Sequence, residues 1–174
     1  MIVPLFSLAS CQNKHTINAD GRLTFNVLAP YKEVSHKVLF NAPEYQDYVA
    51  GGGDFNRQEY LFIADKREIS VKRLRYTTAV SKQDNTLKTK ENMVQMIKEM
   101  YPPAKIVHLK EEEKANFYFY SVYCDVDNDG KDAIGYIHLY NEKYFYRILY
   151  SSNFSAGALK EFEEIVNTVE IHTN

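Results

Sequence analysis

The chain has no tryptophan and, in 174 residues, only two cysteines, five prolines and seven glycines. Cys11 and Cys124 are too few and too far apart for a disulfide framework or a thiolate metal site. Neither sign of charge predominates. The 21 basic and 23 acidic residues leave a formal charge of −2, which offers no broad attractive field for phosphate backbones and argues against nucleic acid as a partner. No run approaches the roughly 20 consecutive apolar residues that a membrane-crossing helix needs, and no repeat with a period of about 20 to 50 residues occurs. Serine-hydrolase, zinc-protease, P-loop and dinucleotide fingerprints are all missing. The five histidines, His15, His36, His108, His138 and His172, have no paired ligand spacing. What remains is 45% hydrophobic and 25% charged, the composition of one ordinary globular domain.

The amino-terminal residues MIVPLFSLAS are uncharged and mostly apolar, and Cys11 follows them, after which the chain turns polar as QNKHTINADG. An apolar stretch that ends in small residues and stops this abruptly reads as a processing signal, because a packed helix would continue its stripe. Leu8-Ala9-Ser10-Cys11 resembles the lipobox of bacterial lipoproteins. That resemblance implies a diacylglycerol on the Cys11 thiol and cleavage before it. Residues 1–10 are then a signal peptide and 11–21 a lipidated tether. Buried acyl chains contribute about 0.8 kcal/mol per methylene, so two or three chains anchor a protein stably. Gln12 stands where an inner-membrane retention signal would place Asp, and so leans toward the outer membrane.

From residue 22 onward the periodicity sets out elements. Leu23, Phe25 and Val27 alternate with polar residues as a half-buried strand. Residues 32–40 fit either a short helix or a strand, and Gly51-Gly52-Gly53 reads as a loop. Residues 60–63 and 68–76 read as a hairpin around Asp65-Lys66-Arg67, with Lys72, Arg73 and Arg75 on an exposed strand. Met93, Met96, Ile97 and Met100 fall on one helical stripe within residues 88–101, which Pro102-Pro103 ends. After a short strand at residues 105–109 and a solvated turn at residues 110–114, KEEEK, come three long strands at residues 116–124, 133–140 and 144–151. They read as an antiparallel meander. Ser155 caps a last helix that carries Leu159, Phe162, Ile165, Val166 and Val169 along one side. The expected fold class is α+β, an antiparallel sheet covered by helices.

Aromatic residues, 14 Tyr and 10 Phe in all, gather between Phe117 and Phe154. Strand alternation puts Phe117, Phe119, Ser121 and Tyr123 on one face and Tyr118, Tyr120, Val122 and Cys124 on the other. In the same way Tyr144, Tyr146, Ile148 and Tyr150 oppose Phe145, Arg147 and Leu149. Both faces are aromatic, and covering both as core is the simpler reading. A face left open would be a recognition surface, with Tyr118, Tyr120, Tyr144 and Tyr146 as its candidates. Asp125, Asp127 and Asp129 begin like a calcium loop, with Gly130 at the sixth position, but Tyr136 stands where a bidentate Glu is needed. The motif reads better as a hairpin turn with a weak calcium candidate. Cys124, at the end of an aromatic strand, reads as a buried small apolar residue.

The element order, closing with SAGALKEFEEIVNTVEI after a Tyr-rich strand, resembles the PsbP-like α/β/α sandwich, a group that includes DcrB-like bacterial lipoproteins. The resemblance covers about residues 21–171 and implies a non-catalytic binding or assembly module. The expectation for residues 22–174 is therefore a single domain outside the cytoplasm, with the membrane engaged through the anchor. An envelope protein or small ligand is the partner, and no cofactor is expected. Two other classes stay open. An inhibitor or immunity-type protein would present a loop near Gly51 to Asp54, and an envelope hydrolase would assemble a site from scattered Asp, His and Tyr.

Overall fold

The computed structural model describes residues 13–40, 55–76, 90–114, 117–141 and 144–172. Cys11 and the Gly51–Gly53 segment lie outside the described residues. Most of the rest is antiparallel sheet, with two helices. Strands β1 (His15–Ala19), β2 (Leu23–Val27) and β10 (Glu170–Ile171) make a small sheet in the order β1-β2-β10. Strands β3 (Lys32–Phe40), β4 (Phe55–Ala64), β5 (Arg67–Tyr76), β6 (Lys105–Lys114), β7 (Phe117–Asp125), β8 (Asp132–Tyr140) and β9 (Tyr144–Asn153) form a seven-stranded sheet ordered β3-β4-β5-β9-β8-β7-β6. The meander appears as expected, with Tyr123 opposite Gly135 across β7–β8 and Ile137 opposite Ile148 across β8–β9.

Helix α1 (Lys90–Met100) lies against one face of the large sheet, where Met93 and Ile97 pack with Tyr120, Val122, Cys124, Ile134 and Tyr136. Helix α2 (Ala156–Thr168) and the small sheet lie against the other, where Phe25, Phe162 and Ile165 pack with Phe119, Tyr123, Tyr146 and Tyr150. The alternation read from sequence therefore separates two cores. Ser155 caps α2, its Oγ accepting from the Ala158 amide at 3.1 Å. Phe162 is fully buried and its ring sits directly on Gly135, where a Cβ would fall far inside van der Waals distance of the ring. The absent side chain on β8 is what lets helix and sheet approach.

Three local expectations differ from the structure, and one open alternative is decided. His15–Ala19, read in the sequence as part of a leash to Gly21, pairs with β2 in full antiparallel register and buries Ile17 and Ala19. Residues 32–40, ambiguous in sequence, are a strand paired to β4. The KEEEK segment is not a turn: it continues β6 at the sheet edge, where Lys110 and Lys114 ammonium groups lie over the Phe119 ring at 5.9 and 5.6 Å. Long charged side chains laid across aromatic rings keep an edge strand both covered and charged. Arg73, expected on an exposed strand, is buried, because it shares the inward parity of Ile69 and Val71. Among the described residues no helix is long and apolar enough to cross a membrane.

Candidate functional site

The tyrosines singled out in the sequence do not form one surface. Tyr144 and Tyr146 face α2 and the small sheet, both buried. Tyr118 and Tyr120 face the other way, beside α1, where both rings approach Tyr140, at 5.2 and 6.1 Å between centroids. Two strand parities send the pairs to opposite sides. The Asp-rich turn is held by its own hydrogen bonds: Asp125 Oδ2 accepts from the Gly130 amide at 3.0 Å, and Asp129 pairs with Lys131 at 2.7 Å. Asn128 and Gly130 supply the positive φ angles, 55° and 76°, that close it. Among the described residues no group of three or more His, Cys, Asp or Glu is gathered to hold a metal ion.

His108 and His138 sit on opposite faces as well. His108 lies edge-on to Phe162 and within 3.1 Å of Ser121 Oγ, and burial lowers its pKa. His138 lies edge-on to Phe145. Cys124 is buried with its Sγ 3.7 Å from the Ile134 carbonyl, and burial pushes its thiol up to about 11. At neutral pH it is a protonated, space-filling side chain.

The structure brings together two polar clusters, each built on a carboxylate buried between the layers. Glu161 on α2 is fully buried. It accepts from the Leu28 amide at 3.0 Å, from the Tyr31 and Tyr150 hydroxyls at 3.2 and 3.0 Å, and from Arg67 at 2.8 Å. Burial first, and then the facing carboxylate, raise the pKa of both hydroxyls far above the usual tyrosine value. The second carboxylate, Asp20 in the β1–β2 turn, has φ 59° and a side chain only 2% exposed. It accepts from the Arg22 amide at 3.1 Å and the Tyr146 hydroxyl at 3.2 Å, and it pairs with Arg73. Arg22 and Arg73 both lie over the Tyr144 ring, at 5.4 and 5.8 Å. Each cluster ties the α2 layer to the large sheet with its charges compensated.

A cleft of about 570 Å³ opens beside the Glu161 cluster. The start of α2 forms one wall through Ser155, Gly157 and Ala158, and Asp65, Lys66 and Arg67 at the β4–β5 turn form another. Ser152 and Asn153 at the end of β9, together with Leu28, complete the lining. Sequence periodicity did not reveal this place, since its parts come from distant segments. One signal was present: Glu161 falls on the apolar stripe of α2, three residues after Ala158 and four before Ile165, where a charge demands a partner.

No protein-family model matches the sequence, and no curated protein matches it. Among solved structures the chain is similar to the solution structure of cyanobacterial PsbP (CyanoP) from Synechocystis sp. PCC 6803. The TM-score is 0.51 at 12% identity, over 98% of this chain and 100% of that one. The likeness is one of fold, and it agrees with the PsbP-like architecture expected from the element order.

Proposed function

We propose that this protein is an envelope lipoprotein, anchored by acyl chains on Cys11, whose PsbP-like α/β/α sandwich is a non-catalytic binding or assembly module. The observation that carries this reading is the cleft at the start of α2. Its lining is polar and charged, with two serines, an asparagine, an aspartate, a lysine and an arginine, which supports a binding role. The buried carboxylates are already committed to joining layers.

The anchoring part rests on Leu8-Ala9-Ser10-Cys11 and on the distance to the fold. Only Gln12, Asn13 and Lys14 separate Cys11 from β1, and three residues can reach at most about 10 Å. Lys14 also pairs with Glu164 of α2 at 2.8 Å. A lipid on Cys11 would therefore hold the domain close to a bilayer, the outer membrane by the lean of Gln12, within reach of envelope proteins or small ligands.

The test is fractionation of the native host with mass spectrometry of the extracted chain. The expected product is a diacylated or triacylated Cys11 at the new amino terminus, with Cys11→Ser moving to the soluble fraction. Affinity capture from detergent-solubilised envelope is expected to recover a stoichiometric partner or ligand with the wild-type protein. Full-length chain with Met1 retained and Cys11 unmodified overturns the anchoring.

A further inference from the structure

We infer that the part of the large sheet beside α1, on the face that carries Arg147, docks an extended acidic peptide segment of an envelope partner. The inference rests on the binding-module reading and names the chemistry of what is bound. Helix α1 accounts for only part of this face. Among the described residues its core ends at Phe145 and Leu149 on β9 and takes nothing from β3, β4 or β5. Between those two residues, with the same parity, Arg147 heads a row that crosses four strands. Arg147 stands opposite Lys72, Lys72 opposite Glu59, and Glu59 opposite Lys37, with neighbouring strands about 4.8 Å apart.

The row is electrostatically unbalanced. Like charges set directly opposite each other destabilise a sheet, and Lys72 and Arg147 are such a pair. Glu59 is the one carboxylate in the row, and it is already shared by Lys72, at 3.0 Å, and by Arg57 on the same face of β4. Burial raises the pKa of Glu59, yet the two cations more than reverse that and hold its carboxyl below the ordinary value. Lys37 is exposed and Arg147 half-buried, and neither makes an ion pair among the described residues. Lys37, Arg57, Lys72 and Arg147 thus surround a single carboxylate in a chain whose formal charge is −2. Glu68, also on this face of β5, is four residues from Lys72, about 13 Å along the strand. The depth of the row selects the partner. The Lys72 side chain is only 28% exposed and that of Glu59 20%, so these groups lie below the plane at which bilayer headgroups would meet the sheet. Asp and Glu side chains of an extended peptide reach down to them, and a guanidinium takes a carboxylate through paired N–H donors. Ile63, 37% exposed on the same face, adds apolar contact beside the charges.

The test is amide NMR of the ¹⁵N-labelled full chain, titrated separately with hexaglutamate, hexalysine and phosphatidylglycerol bicelles. The expected result is saturable displacement of the Lys72 and Arg147 resonances by hexaglutamate alone, with Kd of about 1 mM or tighter that weakens as salt is added. Arg147→Gln and Lys72→Gln are each expected to weaken binding about tenfold. Arg147→Gln also relieves the opposed like charges, so its melting temperature is expected to equal or exceed that of the wild type. An arginine that serves the fold alone would lower it. Saturation by the bicelles, no saturation by hexaglutamate, binding unchanged in both variants, or a lowered melting temperature for Arg147→Gln overturns the inference. In the envelope capture, a partner recovered equally by wild type and Arg147→Gln keeps the binding-module reading and removes this face from it, whereas an unmodified Cys11 removes the anchoring and leaves the titration standing.

Discussion

Glu161 shows how much one side chain can hold. Four donors from three separate parts of the chain converge on it. Removing one partner of a buried, hydrogen-bonded charge pair costs about 3 to 5 kcal/mol. Glu161→Gln, which keeps the shape and removes the charge, is expected to fall near the lower end of that range. The measurement is urea denaturation, with Arg67→Met and the double variant completing a cycle. Additive effects of the two substitutions would show that the pair is not coupled. In sequence Glu161 looks like one charge among several in KEFEEIV, and only its place on the apolar stripe marks it. Arg73 is marked in the same way, as an ion at an inward strand position. Such residues are legible as anomalies, but their partners are not, because Asp20 lies in a turn and Arg67 begins β5, and no periodicity joins either to its carboxylate or guanidinium partner.

At the scale of elements, the meander and α2 were readable because each repeats its signal over two or more turns or strand pairs. Strands β1 and β10 were not, since β1 exposes His15, Thr16 and Asn18 and β10 is two residues long. Their strand character comes from pairing with β2, a tertiary fact. The contact between Phe162 and Gly135 is similarly hidden, because a glycine inside a strand does not announce what it makes room for. Gly135→Ala is expected to destabilise the protein by about 1 to 3 kcal/mol, the usual cost of overpacking a rigid core. In a Phe162→Leu background the same substitution is expected to cost measurably less, because the ring edge that clashes is gone. Equal costs in both backgrounds, by thermal or urea unfolding, would mean that β8 yields without involving α2.

Several buried tyrosines across the molecule are held un-ionised. Burial raises the hydroxyl pKa of Tyr31, Tyr136, Tyr140, Tyr146 and Tyr150 well above the ordinary 10.0, and it raises the Cys124 thiol from 9.0 to about 11. Groups whose folded pKa is raised favour the protonated form in the native state. The stability they contribute is complete below the unfolded values and is lost as pH climbs through the folded ones. Folding stability is therefore expected to hold up to about pH 9 and to fall beyond it. With no tryptophan present, tyrosinate absorbance gives a clean readout. A fraction of the 14 tyrosines is expected to ionise only as the circular dichroism of the fold collapses. Full tyrosinate absorbance with the native spectrum intact would contradict that order.

Asp20 and Glu161 reach the large sheet from the same side, one from a hairpin tip and one from mid-helix. Greasy contacts between layers tolerate gradual exchange, since one branched or aromatic group can replace another of similar volume. A carboxylate keyed to a guanidinium does not. Descendants of this chain can thus wander smoothly through the apolar interior, but they must alter Asp20 with Arg73, and Glu161 with Arg67, as joint steps.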